Sequence, residues 1–530
     1  MGGSHVSTPS QSAQPPLDLN SPPSQRHLYQ YRQQHGVNLG SWFTLETWLT
    51  GSLFRGVQGQ KDSEMDLLHG LGPDKAKQVL ESHWDHFVND GDWKVCGCGR
   101  RSVSIKSLTT ILFPPWSVLL NSQLFVQWLS SQGINTVRLP ISYYHFLPGQ
   151  QDSGVRDLMS GTEYEPFSQV YAGAWQRIEA AITKAGSAGI GVLIDLHSVP
   201  GAQNTDGHSG LSTKKAGLWE GMSASKNQKR TIAILDALAA QVARHDNVVG
   251  LELLNEPKNN GGLQGFYEEA IRSIRKHTPD LPLYLGDAWD LRHYSQWVSK
   301  QTTPTNFLVV DHHLYRCFTK EDHSTSAGEH AARIHPAHSG PTCSMLRDSA
   351  KTLGGSLIIG EWSAALNPGS LQGRPQDDCQ REWGHAQAAA YAAFVGGNFF
   401  WTLKKEGAPD GGWNLYSAME KGVLPRRSSL KNPGDGQQAG QQALQGHVNY
   451  WNSHGASGDH KAFSDGFSQG WKDAQSFAQS QGQATIGFYG QWAKVRAEAW
   501  KAQGGDGKAA WEFEHGCAQA IGAFNQAARG

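Results

Sequence analysis

Leu251-Glu-Leu-Leu-Asn-Glu-Pro257 and Leu357-Ile-Ile-Gly-Glu-Trp362 decide how this chain is read. Each is an apolar run with the composition of a buried strand, and each ends abruptly at a carboxylate, Glu256 in the first and Glu361 in the second. A carboxylate at the end of a buried parallel strand is costly to place unless it has partners or a task. Outward from these two, similar runs recur at Val37–Leu39, Thr136–Leu139, Gly191–Leu196, Pro282–Leu285, Phe307–Val310 and Gly397–Trp401. Amphipathic stretches such as Ala174–Ala188 and Thr231–His245 separate them. Strand and helix in alternation predict a parallel sheet, and eight such units predict an α/β fold of the (β/α)8, or TIM barrel, type. Active sites of that fold are built at the carboxyl ends of the strands, so Glu256 and Glu361 are expected to meet across the barrel mouth. A carboxylic acid that protonates a leaving oxygen and a carboxylate that attacks a sugar are what retaining glycoside hydrolysis requires. The competing reading, two acids that merely cap helices, leaves their matching strand contexts unexplained.

Composition narrows the alternatives. The chain has 530 residues, with 46 basic and 47 acidic side chains interspersed to a formal net charge of −1. That balance offers no basic stripe for nucleic acid and no polybasic cluster for an anionic membrane. No stretch approaches the roughly 20 apolar residues of a transmembrane helix. Nineteen Trp and 61 Gly stand out; indole faces suit sugar rings, although most of these Trp are expected in the core. Six scattered Cys and an N-terminal run without an apolar signal segment predict reduced thiols and an intracellular, cytoplasmic protein. Cys96-Gly-Cys98 has no second pair with which to hold zinc. The expected reaction needs no metal or cofactor, and the chain is expected to act as a monomer.

The organisation read from the chain is a disordered polar tail over residues 1–30, a barrel over 31–427, a linker over 428–445 and a helical extension over 446–530. In the extension Phe463, Phe467 and Trp471 recur at helical spacing, and Trp492 and Trp500 share a face of a second helix. These predict a helical hairpin laid on the barrel's outer wall, in preference to a separate carbohydrate-binding unit. Residues 95–127 interrupt what otherwise reads as one amphipathic helix joining Gly91–Lys94 to Trp128–Gly133. Their largely apolar stretch and Pro-Pro pair suit either a translated intron, whose Val and Gln ends permit GT and AG codons, or a family-specific loop.

Further motifs occur in order: Gly36-Val-Asn-Leu-Gly-Ser-Trp42 with Leu45-Glu46, Val137-Arg-Leu-Pro140, and Ile194-Asp-Leu-His197 followed by Pro200-Gly-Ala-Gln-Asn204. Asp311-His-His-Leu-Tyr315 and Phe400-Trp401 complete the series with the two acid motifs. From about His35 to Pro425 the chain resembles the fungal exo-β-1,3-glucanases of glycoside hydrolase family 5, clan A. The resemblance implies Glu256 as acid/base and Glu361 as nucleophile. It implies Arg138 and Tyr315 as supports of Glu361, Asn255 as partner of the sugar 2-hydroxyl, and His197 and His313 as lining. Glu46 would hold hydroxyls of the terminal sugar, Phe318 would clamp the next sugar, and Trp401 would be the platform beneath. Trp413, on a Gly-rich loop, is open between rim contact and packing. Arg138 should keep Glu361 ionised, and the charge of Glu361 should raise the pKa of Glu256. The interval Thr205-Asp-Gly-His208 lacks the aromatic clamp that family members often carry there. A β-linked glucoside or β-1,3-glucan fragment is therefore the expected substrate, with a glucosylated lipid or sterol as the alternative. A barrel that binds glycans without catalysis is the third reading.

Overall fold

The structure is a computed structural model that describes residues 17–87, 128–427, 429–455, 458–481 and 483–529. The 95–127 interval, Cys96 and Cys98, and the first sixteen residues of the polar tail lie outside the described residues.

Eight strands close in sequence order into one parallel barrel: β1 (Gln34–Asn38), β2 (Thr136–Ser142), β3 (Gly191–Ser198), β4 (Val248–Glu252), β5 (Leu283–Gly286), β6 (Leu308–Arg316), β7 (Leu357–Leu366) and β8 (Gly397–Phe400). β8 pairs back onto β1, with Gln34 opposite Gly397, so no edge remains. Every run expected to be a strand is one. Their near-continuous apolar character follows from burial on both faces. The outer face packs on the surrounding helices through side chains such as Leu139, Leu196, Leu235, Leu251 and Trp383.

The inner face is divided by height. Alternation along a strand points every second side chain inward, so Leu193, Asp195 and His197 of β3 climb the barrel interior in turn. The lower level is apolar, with Leu193, Tyr284, Val309, Ile358 and Phe399 in one buried cluster. The upper level is ionic: Asp195, Glu252 and Glu361 surround Arg138.

The expected positions of three peripheral segments are corrected. Residues 25–30 are not part of a disordered tail. Gln25–Tyr31 forms a helix, α1, capped by Ser24. Tyr31 stacks on Phe307 at 4.9 Å and meets Trp492 edge-on at 4.8 Å. Averaging over the Ser, Pro and Gln around it hides this short aromatic anchor in the sequence. The linker is likewise shorter than 428–445, because helix α2 spans Gln437–Ser453; Gln is an ordinary helix former once Pro433, Gly434 and Gly436 have been passed.

The extension also sits elsewhere than on the outer wall. Three more helices, α3 (Lys461–Gln479), α4 (Tyr489–Ala502) and α5 (Ala510–Arg529), cover the amino-terminal end of the barrel. Phe488 lies in the same apolar cluster as the lower interior level and packs edge-on against Phe307 at 5.4 Å. Main-chain bonds join Gln33 to Thr485 and Gly490 to Gly354, in the connections just before β1 and β7. α3 and α5 approach closely at Gly466 and Gly516; a Cβ on Gly466 would stand 2.1 Å from the Phe513 carbonyl. A buried ion pair, Arg496 Nη2 to Asp473 Oδ1 at 2.6 Å, links α4 to α3. Phe463, Phe467 and Trp471 are buried as their spacing indicated, but within the lid: Phe463 stacks on His447 of α2 at 4.1 Å and Trp471 meets Phe524 of α5 edge-on at 5.2 Å.

Candidate active site

Arg138 is the hub of the upper interior level. It rises from β2 and is wholly buried. Its Nε donates to Glu252 (2.8 Å), Nη1 to Glu361 (2.9 Å) and Asn38 (3.0 Å), and Nη2 to the Asn255 side-chain oxygen (2.8 Å). Asp195 lies 3.0 Å from Nη2. Burial works against the guanidinium charge, but Asp195, Glu252, Glu361 and Asp311 outweigh it and hold its pKa well above the usual value. One cation cannot neutralise all of these acids. Burial accordingly pushes Glu252 well above the carboxylate range and Asp195 up to about 6.

Glu361, at the inward turn of β7, is gripped on both oxygens. Arg138 holds Oε1, and the Tyr315 hydroxyl donates to Oε2 at 2.7 Å. Burial and the Glu361 charge both raise the Tyr315 pKa, so its hydroxyl stays a donor. Glu256 follows β4 with a positive φ of 43°, a strained setting for a residue with a side chain. Neighbouring amides hold it there: Gln203 donates to the Asn255 carbonyl and Asn204 to the Glu256 carbonyl, both at 3.0 Å. A ligand-type oxygen of Glu256 and one of Glu361 lie within 4.8 Å of each other.

The protonation of Glu256 is corrected. Burial is the largest influence and raises its pKa. The 2.7 Å bond to His313 Nδ1 and the charges of His313 and His208 outweigh that and bring it to about 2. His313 is opposed by burial, yet Glu361, Asp311 and the bonds to Asp311 and Glu256 carry it well above the ordinary histidine range. The 2.7 Å His313–Glu256 contact is short enough for the two groups to share one proton.

The cavity above these groups measures about 740 Å³. Glu46, His197, Asn255, Glu256, Tyr315, Phe318, Glu361 and Trp401 line it, while Arg138 and His313 sit beneath and behind them, so the fold brings all ten expected side chains together. His197 is fixed by Asp195 at 2.6 Å and lies parallel to the Trp401 ring at 6.2 Å. Glu46 accepts from the Trp48 indole at 2.7 Å, and burial lifts its pKa to about 7. Trp413 lines the cavity rim, 5.6 Å from Tyr315 and 6.1 Å from Phe318.

Sequence reasoning missed three contributors. Glu252 was signalled by a lone acid inside an apolar strand run. Trp289, from the turn after β5, also lines the cavity. His208 stands in the interval read as lacking an aromatic; its Nε2 lies 3.5 Å from Glu256 Oε2 and 3.8 Å from Asp206. Burial opposes its charge, but Asp206, Glu256 and Glu46 raise its pKa to about 9. No local signal distinguishes it from any other loop histidine.

A closed (β/α)8 barrel with paired carboxylates at its strand ends, one of them gripped by arginine and tyrosine, defines a barrel hydrolase of the carboxylate-pair class. The family model of cellulase (glycosyl hydrolase family 5) matches residues 99–417. Residues 434–528 match a second model, the glucan 1,3-beta-glucosidase 3 C-terminal domain. The chain belongs to glycosyl hydrolase family 5 and is a glycoside hydrolase. It is 30% identical over 507 residues to glucan 1,3-beta-glucosidase 3 of Schizosaccharomyces pombe, covering 93% of this chain and 95% of the relative. It is 25% identical over 441 residues to a probable glucan 1,3-beta-glucosidase A of Aspergillus niger, covering 75% and 89%. Among solved structures, rutinosidase from Aspergillus niger shares the fold, with a TM-score of 0.50 and 15% identity over 74% of this chain and 98% of that one.

Proposed function

We propose that this glycoside hydrolase is a retaining, exo-acting β-glucosidase that removes glucose from β-1,3-linked glucan fragments. The observation that carries this reading is the approach of Glu256 and Glu361 to within 4.8 Å, with both oxygens of Glu361 held by Arg138 and Tyr315. Retaining enzymes need a separation of about 5 Å, because one carboxylate must reach the anomeric carbon while the other reaches the leaving oxygen. Glu361 attacks the anomeric carbon and forms a glycosyl ester. The proton held between His313 and Glu256 passes to Glu256 and from there to the leaving oxygen. Glu256 then removes a proton from water, which displaces Glu361. Asn255, anchored by Arg138, turns its amide toward the cavity for the sugar 2-hydroxyl. Trp401 underlies the terminal ring, and Glu46 accepts from its hydroxyls. The glucan 1,3-beta-glucosidase relatives support the choice of linkage.

A glucosylated lipid or sterol is the second reading. Trp48, Trp289 and Phe318, 44%, 58% and 71% exposed, form an apolar rim that suits a greasy aglycone as well as a second sugar. An intracellular, monomeric enzyme is part of the proposal; its intracellular setting is supported by the four free thiols among the described residues, Cys317, Cys343, Cys379 and Cys517. Time-resolved proton NMR on laminaribiose and on a glucosylated sterol tests both readings. An early excess of β-glucose over its equilibrium share, decaying by mutarotation, is the expected result from laminaribiose. An early excess of α-glucose would overturn the retaining mechanism, and release from the sterol glucoside alone would move the assignment to the second reading.

A further inference from the structure

The helical lid holds a group of side chains that the barrel chemistry does not use. His447 on α2, His460 immediately before α3 and Glu512 on α5 each bring one ligand-type atom to within 4.8 Å of the other two. Three other groupings of this kind among the described residues lie in the barrel mouth and belong to the site already described. His460 Nδ1 is 2.9 Å from Glu512 Oε1, and His447 Nε2 faces the same oxygen at 3.6 Å, beyond hydrogen-bond range. Both histidines are only 5% exposed, and the Nε2 atom of each ring is buried without a hydrogen-bond partner. Native interiors seldom leave a nitrogen such as His447 Nε2, which faces Glu512, unpaired unless a ligand or ion completes it.

We propose that His447, His460 and Glu512 form a structural site for a divalent transition-metal ion of the zinc type, which ties α2 and the start of α3 to α5. Two imidazoles and a carboxylate are a recurrent zinc donor set. Bonds of about 2.0–2.1 Å at tetrahedral angles put neighbouring donor atoms about 3.3 Å apart, and the 2.9 and 3.6 Å separations here straddle that spacing. The His447 ring is clamped face-on by Phe463 at 4.1 Å, which fixes its orientation. His460 binds through Nδ1, the atom that faces Glu512. The fourth position falls to water or to His515, one turn along α5 from Glu512 and 5.4 Å from His447.

The test uses the full chain, stripped with EDTA, dialysed, and equilibrated with Zn2+ or Co2+. The wild type is expected to retain one zinc per chain more than Glu512→Gln, to melt about 2–4 °C higher with zinc, and to show visible tetrahedral Co2+ bands that His447→Gln loses. Glu512→Gln should weaken binding at least about tenfold. Equal metal content and equal Co2+ spectra in wild type and folded variants would overturn the site. So would a stripped wild-type chain that takes up no zinc and does not change its melting temperature, a result independent of whether the variants fold.

Discussion

The two ends of this barrel are built from the same eight strands and share almost nothing else. At the carboxyl end the inward side chains are Arg138, Asp195, Glu252, Asp311 and Glu361, buried ions that stay in place because each has a partner or a proton. At the amino end they are Leu193, Tyr284, Val309, Ile358 and Phe399, closed off by Phe488 and the helices α3–α5. Ionic groups of the first kind contribute little net stability, because desolvation cancels most of their attraction. Apolar closure of the second kind stabilises by roughly 25 cal/mol for each Å² removed from water. One end thus supplies chemistry, and the other supplies the stability that lets that chemistry stand on a strained, highly charged floor.

The sharpest way to test this division is to damage each end and ask whether only one property changes. Glu361→Gln is expected to lower kcat by about 10⁴-fold while leaving a folded protein, measured as glucose release beside a melting curve. Loss of folding in that variant would show that the upper level is also a structural keystone. Phe488→Ala should do the opposite. It should cost about 3–5 kcal/mol of stability by denaturant titration, with kcat per folded molecule unchanged. A large loss of kcat at full folding would mean that the lid reaches the active site. Tyr315→Phe keeps the ring and removes only the donor to Glu361; a loss of about 10²–10³ in kcat with little change in melting is expected.

The smallest effect concerns His208, which lies at the boundary of the two roles. Its folded pKa of about 9 stands above the ordinary histidine value of 6.5, so its stabilising contribution is complete below pH 6.5 and fades as pH rises through 9. That contribution is at most about 3 kcal/mol. His208→Asn should flatten the decline of stability between pH 6.5 and 9. An unchanged slope would mean that Asp206 and Glu256 do not hold the charge.

Legibility in the sequence follows the same division. Strand runs are visible because burial on both faces forces continuous apolar character, and a carboxylate ending such a run is conspicuous against it. Glu256, Glu361 and Asn255 emerge in this way, and the resemblance adds Glu46, Arg138, His313 and Tyr315. His208 stays hidden because its importance lies in the 3.5 Å to Glu256, a distance set by the loop that carries it across 48 residues of chain. The coupling of Glu256 to His313 is hidden for a related reason: the pKa of Glu256 depends on which of several buried charges is nearest, and local sequence does not encode that order.

The helical lid shows where pattern ends and packing begins. The spacing of Phe463, Phe467 and Trp471 marks a buried helical face but does not name the surface that buries it. The stripe is covered by the neighbouring helices α2 and α5, and the lid they form could rest on either apolar surface of the barrel, outer wall or floor. The choice rests on contacts remote in sequence, such as Thr485 with Gln33 and Gly490 with Gly354. By itself the sequence determined the barrel, its strand order and the two acids, because each is written in local periodicity and in the cost of burying a charge. Only the tertiary structure decided which end the helices close, that His313 bonds Glu256 and that two distant histidines meet one glutamate. Those outcomes depend on distances between segments that no local pattern records.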